Sequence, residues 1–210
     1  MSSAPSGSPG RSELPDAEHR DFAEYNAAQA DRPVRPLARR AVESAGRTAV
    51  ELGCGIGVEA EFLARHGWLV ETIDADPSVA GPLAALAAHP SRLPIRHRTA
   101  SLDEPIELPP AGLILSCATL PFVRRDRFES LWSRIRASLR PGGILAVDLF
   151  GVRDDWATGD GTFHDREQVI ALHEGLEILS LEESERDGMS FGGPKHWHTF
   201  LVISRRPGGT

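Results

Sequence analysis

The stretch Glu51-Leu52-Gly53-Cys54-Gly55-Ile56-Gly57 constrains this chain more than any other. Three alternating glycines separate a short apolar run, Thr48 to Leu52, from an amphipathic one, Val58 to His66. Glycine adopts the backbone of a sharp strand-to-helix turn and lets a ligand approach the main chain, because no Cβ intervenes. A strand entering a helix through such a bend is the first half of a βαβ unit.

The rest of the chain repeats the alternation. Strands are predicted over Leu69 to Ile73, Pro94 to Arg98, Leu113 to Cys117 and Ile144 to Phe150, with a helix over Val79 to Ala88. Phe128, Leu131, Trp132, Ile135 and Leu139 recur at helical spacing, and Pro141-Gly142-Gly143 is expected to stop that helix. Asp165 and Gln168 have the spacing of a capping box, opening a helix that ends near Gly175. Two runs of period two, Leu176 to Glu185 and His196 to Ser204, close the chain as a hairpin around an Asp187–Pro194 connection. Alternation followed by a hairpin predicts an α/β fold: a doubly wound, mostly parallel sheet, its ligand at the strands' carboxyl ends.

At 210 residues, one domain is expected. Ser, Pro and Gly dominate residues 1–14, read as a disordered tail; residues 15–207 form the domain, with an N-terminal helical lid over about 15–45. A net charge of −7 argues against a nucleic-acid partner held by phosphate neutralisation. No apolar run approaches the roughly 18 residues of a membrane span, so a cytoplasmic protein is expected. Cys54 and Cys117 are too few for a disulfide scaffold or a four-thiolate zinc site, and no metal is expected.

The details of the bend select a ligand class. Its G-x-G-x-G spacing puts Val58 where dinucleotide binders carry their third glycine. Glu51 stands where a pyrophosphate would lie and suits a cationic ligand instead. Asp74, ending the next strand, can accept both hydroxyls of a ribose.

With these residues in place, the blocks AVELGCGIG…ETIDADP, LILSCATLPFV and LRPGGILAVDLFG resemble class I S-adenosylmethionine-dependent methyltransferases over residues 45–205. The ending PKHWHTFLV is similar to that of a small bacterial subgroup related to the tellurite-resistance type. The resemblance implies a seven-stranded Rossmann-like sheet with an antiparallel last strand, and S-adenosylmethionine as cofactor, leaving as S-adenosylhomocysteine. It implies that Gly53, Cys54, Gly55 and Gly57 line the methionine and ribose, with Glu51 at the ammonium, Asp74 at the ribose and Ala75 on the adenine. Leu102 and Asp103 are its nearest match to an adenine-contacting loop, and Cys117 is placed beside the methionine.

The expected activity is methyl transfer to a small-molecule acceptor by in-line displacement. Tyr25, Phe122, Phe150, Trp156 and Phe191 are candidates for the acceptor pocket, or for lid packing over the cofactor. His196 and His198 are candidates for a base, against a reading as hydrogen-bonded surface residues. Lys195 is the one lysine among 23 basic residues, and either faces an anionic acceptor or is a chance retention. Two rival readings are a nicotinamide-dependent oxidoreductase and a non-catalytic cofactor-binding module. The oligomeric state is not legible in the sequence.

Overall fold

The computed structural model describes residues 22–44, 46–90 and 92–208. The expected tail over 1–14, and the start of the helix expected from Pro15, lie outside these residues.

Among the described residues, eight strands form one sheet: β1 (Thr48–Leu52), β2 (Leu69–Asp74), β3 (Ile95–Thr99), β4 (Ala111–Ser116), β5 (Leu139–Gly151), β6 (Phe163–His164), β7 (Glu177–Ser190) and β8 (Gly193–Arg205). Their order is β3-β2-β1-β4-β5-β8-β7, with the two-residue β6 pairing with β5 off this path. Strands β1 to β5 run parallel, and β8 is antiparallel to both β5 and β7. The order reverses between β1 and β4, so the carboxyl ends of these two strands flank the crevice where such sheets bind ligands.

Among the described residues, six helices flank the sheet: α1 (Ala23–Ala27), α2 (Pro36–Ala41), α3 (Val58–Arg65), α4 (Ala80–Ala87), α5 (Arg125–Ser138) and α6 (Arg166–Leu172). Side chains alternate across a strand, so the sheet buries two faces. On one face Ala49, Val70, Leu113, Leu115 and Ala146 pack with Leu37 of α2, Leu63 of α3 and Leu83 of α4. On the other, Val50, Leu52, Ile114, Leu145 and Val147 pack with Leu131, Trp132 and Ile135 of α5 and Val169 of α6. The Asp165–Gln168 capping box forms in both directions, as its spacing requires.

The expected strands are all present, but three boundaries move by three residues or more. Strand β5 begins at Leu139 and runs through Pro141-Gly142-Gly143, because Gly142 and Arg206 extend its border with β8 through backbone hydrogen bonds. Strands β7 and β8 continue through most of the connection expected over Asp187–Pro194, reversing at Phe191 and Gly192. Mutual pairing lets polar and glycine-bearing sequence stay extended where propensity alone reads a loop.

Candidate functional site

The glycine bend joins β1 to α3 at the switch point. Gly53, Gly55 and Gly57 all lie in the left-handed region, at φ of +69°, +50° and +89°. A Cβ on Gly53 would overlap the Thr119 side chain, and one on Gly57 would meet Leu83 Cδ2 at 2.5 Å. Gly53 N–H donates to the Ile73 carbonyl (2.7 Å), and Thr119 Oγ1 donates to the Gly53 carbonyl (3.2 Å). The bend is thereby held between the carboxyl ends of β2 and β4.

Acids gather around it. Glu51 is buried, and its Oε2 has no hydrogen-bond partner. Burial, with Glu59 and Asp74 nearby, pushes its carboxyl well above the usual range. A buried carboxylate lacking a partner is costly, and a cationic group supplied by a ligand would relieve it. Asp74 accepts from Gly55 N–H (2.8 Å) and Asp76 N–H (2.9 Å) on separate oxygens. A carboxylate offers about four acceptor sites, so each oxygen retains one for a hydroxyl. Ala75 is exposed beside it.

The segment before β1 closes over this turn. Buried Asn26 of α1 donates to Asp76 Oδ2 at 2.8 Å, and its Oδ1 lies so near Gly55 that a Cβ there would approach it to 2.9 Å. Glu59, 1% exposed, accepts both Arg32 terminal nitrogens and the Arg35 N–H (3.0 Å). Burial opposes its charge, but these donors win, and its carboxyl lies below the usual value. The Arg35 side chain donates to Tyr25 Oη (3.1 Å), while its Nε is buried without a partner.

Ile144, Ala146, Asp148 and Phe150 alternate along one face of β5, the face covered by α2 and α3. Asp148 is half-buried and accepts a hydrogen bond from Ala118 N–H. Burial lifts its carboxyl to about 6, against the opposing pull of Arg35. Cys54 and Cys117 are buried free thiols, pushed well above their ordinary values by burial and by the neighbouring acids, so both stay protonated.

Beyond Phe150 the cleft wall is aromatic. Phe122 stands 6.4 Å from Phe150 and 5.7 Å from Trp156, and Trp197 lies 5.7 Å from Phe150 and 5.5 Å from Trp156, all between ring centroids. Phe122 also meets Phe22 edge-on, and Tyr25 meets the exposed Phe191 in the same manner at 5.8 Å. The hairpin tip and α1 thus meet at the open side of the cleft.

Lys195 is sealed among these rings. Its ammonium lies 3.7 Å from the Trp197 centroid and 4.3 Å from that of Trp156, paired at 2.5 Å with buried Asp154. Asp154 also accepts the Trp156 and His198 N–H groups, so the pair ties the loop after β5 to β8. Lys195 therefore faces Asp154 and aromatic rings instead of an open pocket, and burial lowers its pKa.

The two histidines stand apart from the cleft. Thr199 pairs with Phe150, so His198 points to the opposite sheet face beside Phe200, where it contacts Glu183 at 3.0 Å. His196 shares that face and contacts Asp187 (2.8 Å) and Glu185 (3.2 Å), which raise its pKa. Leu102 is buried in the core on the α5 face, and Asp103 accepts the Arg124 N–H at 2.9 Å. Among the described residues, no group of three or more His, Cys, Asp or Glu side chains could hold a metal ion, and no helix is long and apolar enough to cross a membrane.

Arg35 and Asp148 belong to the cleft and were not singled out from sequence. Asp148 left a signal, as the one charge inside the apolar run Ile144 to Phe150. Arg35 left none, because arginine is this chain's near-universal cation.

Residues 50–147 match the family model of a methyltransferase domain. Over 106 residues, half of the chain, the sequence is 36% identical to trans-aconitate 2-methyltransferase from Pseudomonas paraeruginosa (strain DSM 24068 / PA7), of which it spans 36%. TehB from Haemophilus influenzae superposes with a TM-score of 0.71 at 15% identity, over 88% of this chain and 66% of that one. A Burkholderia thailandensis 1,6-didemethyltoxoflavin-N1-methyltransferase, bound to that substrate and S-adenosylhomocysteine, superposes at 0.65 with 16% identity, over 88% and 82% of the two chains. These likenesses establish the fold.

Proposed function

We propose, from the premise that residues 50–147 form a methyltransferase domain, that this protein transfers a methyl group from S-adenosylmethionine to a small-molecule acceptor. The observation that carries the reading is the buried, unpartnered Glu51 oxygen beneath three left-handed glycines, with Asp74 at the adjoining strand end. That arrangement fits a nucleoside bearing an ammonium group and disfavours a pyrophosphate, which would face Glu51, Glu59 and Asp74 together.

In this reading Glu51 takes the methionine ammonium, Arg35 its carboxylate, Asp74 the ribose hydroxyls, and Ala75 packs on the adenine. Leu102 and Asp103 border the adenine, and Cys54 and Cys117 flank the methionine as small, neutral side chains. When bound, the sulfonium supplies an electrophilic methyl group. The protein's task is then to aim a nucleophile along the S–CH₃ axis and exclude water, which can lower a barrier by roughly 7–11 kcal/mol. Segment 22–41, anchored by Asn26–Asp76 and Arg32–Glu59, acts as the lid, and the acceptor lies among Tyr25, Phe122, Phe150 and Trp156. The relative that acts on trans-aconitate and the neighbour that binds 1,6-didemethyltoxoflavin support an acceptor of that size.

Incubation with methyl-labelled S-adenosylmethionine and a panel of small phenols, amines, thiols and carboxylic acids tests the proposal. Label in at least one acceptor, lost in Asp74→Ala, is the expected result. Label in none, with no binding of S-adenosylhomocysteine, would overturn it.

A further inference from the structure

We infer, resting on the reading just given, that Asp148 is a catalytic residue that receives the acceptor's proton, so that the acceptor's nucleophile is a protic group such as a hydroxyl or amine. Four carboxylates surround the crevice, and three are otherwise engaged. Glu59 is consumed by Arg32 and the Arg35 amide. Asp74 accepts two backbone amides and stands at the ribose side. Glu51 is 2% exposed beneath the glycine bend.

Asp148 differs on each count. It projects from the same face of β5 as Phe150, the floor of the aromatic wall, and stays half-buried instead of sealed. Among the described residues, the donors to its carboxylate are backbone N–H groups, that of Ala118 on Oδ1 and its own, and no side chain donates to it. Ala118 holds this amide with φ at +54°, a left-handed conformation unfavourable for a residue bearing a Cβ. Such strain persists where surrounding structure imposes it, and here it accompanies an amide directed at one carboxylate.

The charged and titratable groups around Asp148 are Arg35 ahead of α2, Glu59 on α3 and Cys117 at the end of β4. Burial raises the Asp148 carboxyl and Arg35 restrains it, to about 6. An acid poised there is ionised at neutral pH yet basic enough to hold a proton, as a general base requires. In the transfer, a lone pair on the acceptor atom forms the new bond to the methyl carbon as the carbon–sulfur bond breaks. That bonding pair stays on sulfur, which becomes a neutral thioether. The acceptor's proton passes to Asp148 Oδ2 and thence to solvent.

Carboxyl ¹³C NMR of the full chain without ligand, assigned by the signal lost in Asp148→Asn, tests this without turnover. Asp148 is expected to titrate near 6, and titration below about 4.5 would overturn the assignment. With any hydroxyl, amine or thiol acceptor found in the panel, Asp148→Asn should lower kcat by about 10²–10⁴-fold. S-adenosylhomocysteine affinity should stay within about twofold, and Asp148→Glu should recover part of the rate. Unchanged kcat in Asp148→Asn, or a panel yielding only carboxylate acceptors, would refute it. If S-adenosylhomocysteine fails to bind the wild type, the methyltransferase reading itself falls. If it binds while Asp148 titrates low, only the role of Asp148 falls.

Discussion

Replacing Asp148 by Asn should make the unliganded protein more stable at neutral pH. The Asp148 carboxyl is lifted from an ordinary 3.8 to about 6 in the fold, chiefly by burial. A group whose folded pKa exceeds its unfolded value favours the fold when protonated. Its contribution is therefore complete below about pH 4 and disappears as pH climbs through 6. At about 1.4 kcal/mol per pKa unit, keeping this carboxylate charged at pH 7.5 costs the fold about 3 kcal/mol. Asparagine retains an oxygen for the Ala118 amide and carries no charge to bury. For a domain of this size, a gain of about 2–3 kcal/mol corresponds to a Tm rise of roughly 5–10 °C. Urea denaturation of both proteins without ligand, at pH 7.5 and pH 4.5, measures the difference directly. The variant should be the more stable at pH 7.5, and the gap should shrink to about 1 kcal/mol at pH 4.5. A variant less stable at pH 7.5, or a gap independent of pH, would refute the reasoning.

Other parts of the site make separate predictions. Gly53→Ala combines a left-handed backbone with overlap onto Thr119, and should destabilise by about 2–4 kcal/mol in denaturant titration while weakening S-adenosylhomocysteine binding at least tenfold. Lys195→Met strands Asp154 in the interior and should cost about 3–5 kcal/mol; adding Asp154→Asn should recover part of that loss, and a double variant no more stable than the single would contradict the pairing. Arg32→Ala removes the partner that holds Glu59 ionised, so thermal melts should show a deficit of about 3–5 kcal/mol at neutral pH that shrinks as the pH falls below 4.5, because protonated Glu59 needs no counter-charge.

The parallel sheet was legible because its cues are local. Apolar runs of strand length, glycines at the first turn and the Asp165 capping box each act within a few residues. The β7–β8 hairpin was legible in kind but not in extent, since cross-strand hydrogen bonds carry polar residues such as Asp187 and Ser190 into the ladder. The cluster of Glu51, the glycines and Asp74 was readable from sequence, because the turn after β1 and the adjoining parallel strand β2 set their relative positions. The aromatic wall is assembled from α1, the segments after β4 and β5, and the hairpin, so its geometry depends on contacts far apart in sequence. Period-two alternation correctly put His196 and His198 on one face and Lys195 and Trp197 on the other. Which face borders the cleft is decided by the pairing of Phe150 with Thr199, a contact that alternation alone does not specify. Lys195 stood out by composition, and the structure gives that ammonium a role in tying a loop to β8.

The central claim is that the bend around Gly53–Gly57 binds a cation-bearing adenosyl thioether through Glu51 and Asp74. Isothermal titration of the wild-type chain with S-adenosylhomocysteine, and separately with NAD⁺, tests it most directly. Saturable heat with the first and none with the second is the expected outcome, the affinity dropping in Glu51→Ala. Saturable heat with NAD⁺ and silence with S-adenosylhomocysteine would contradict the account.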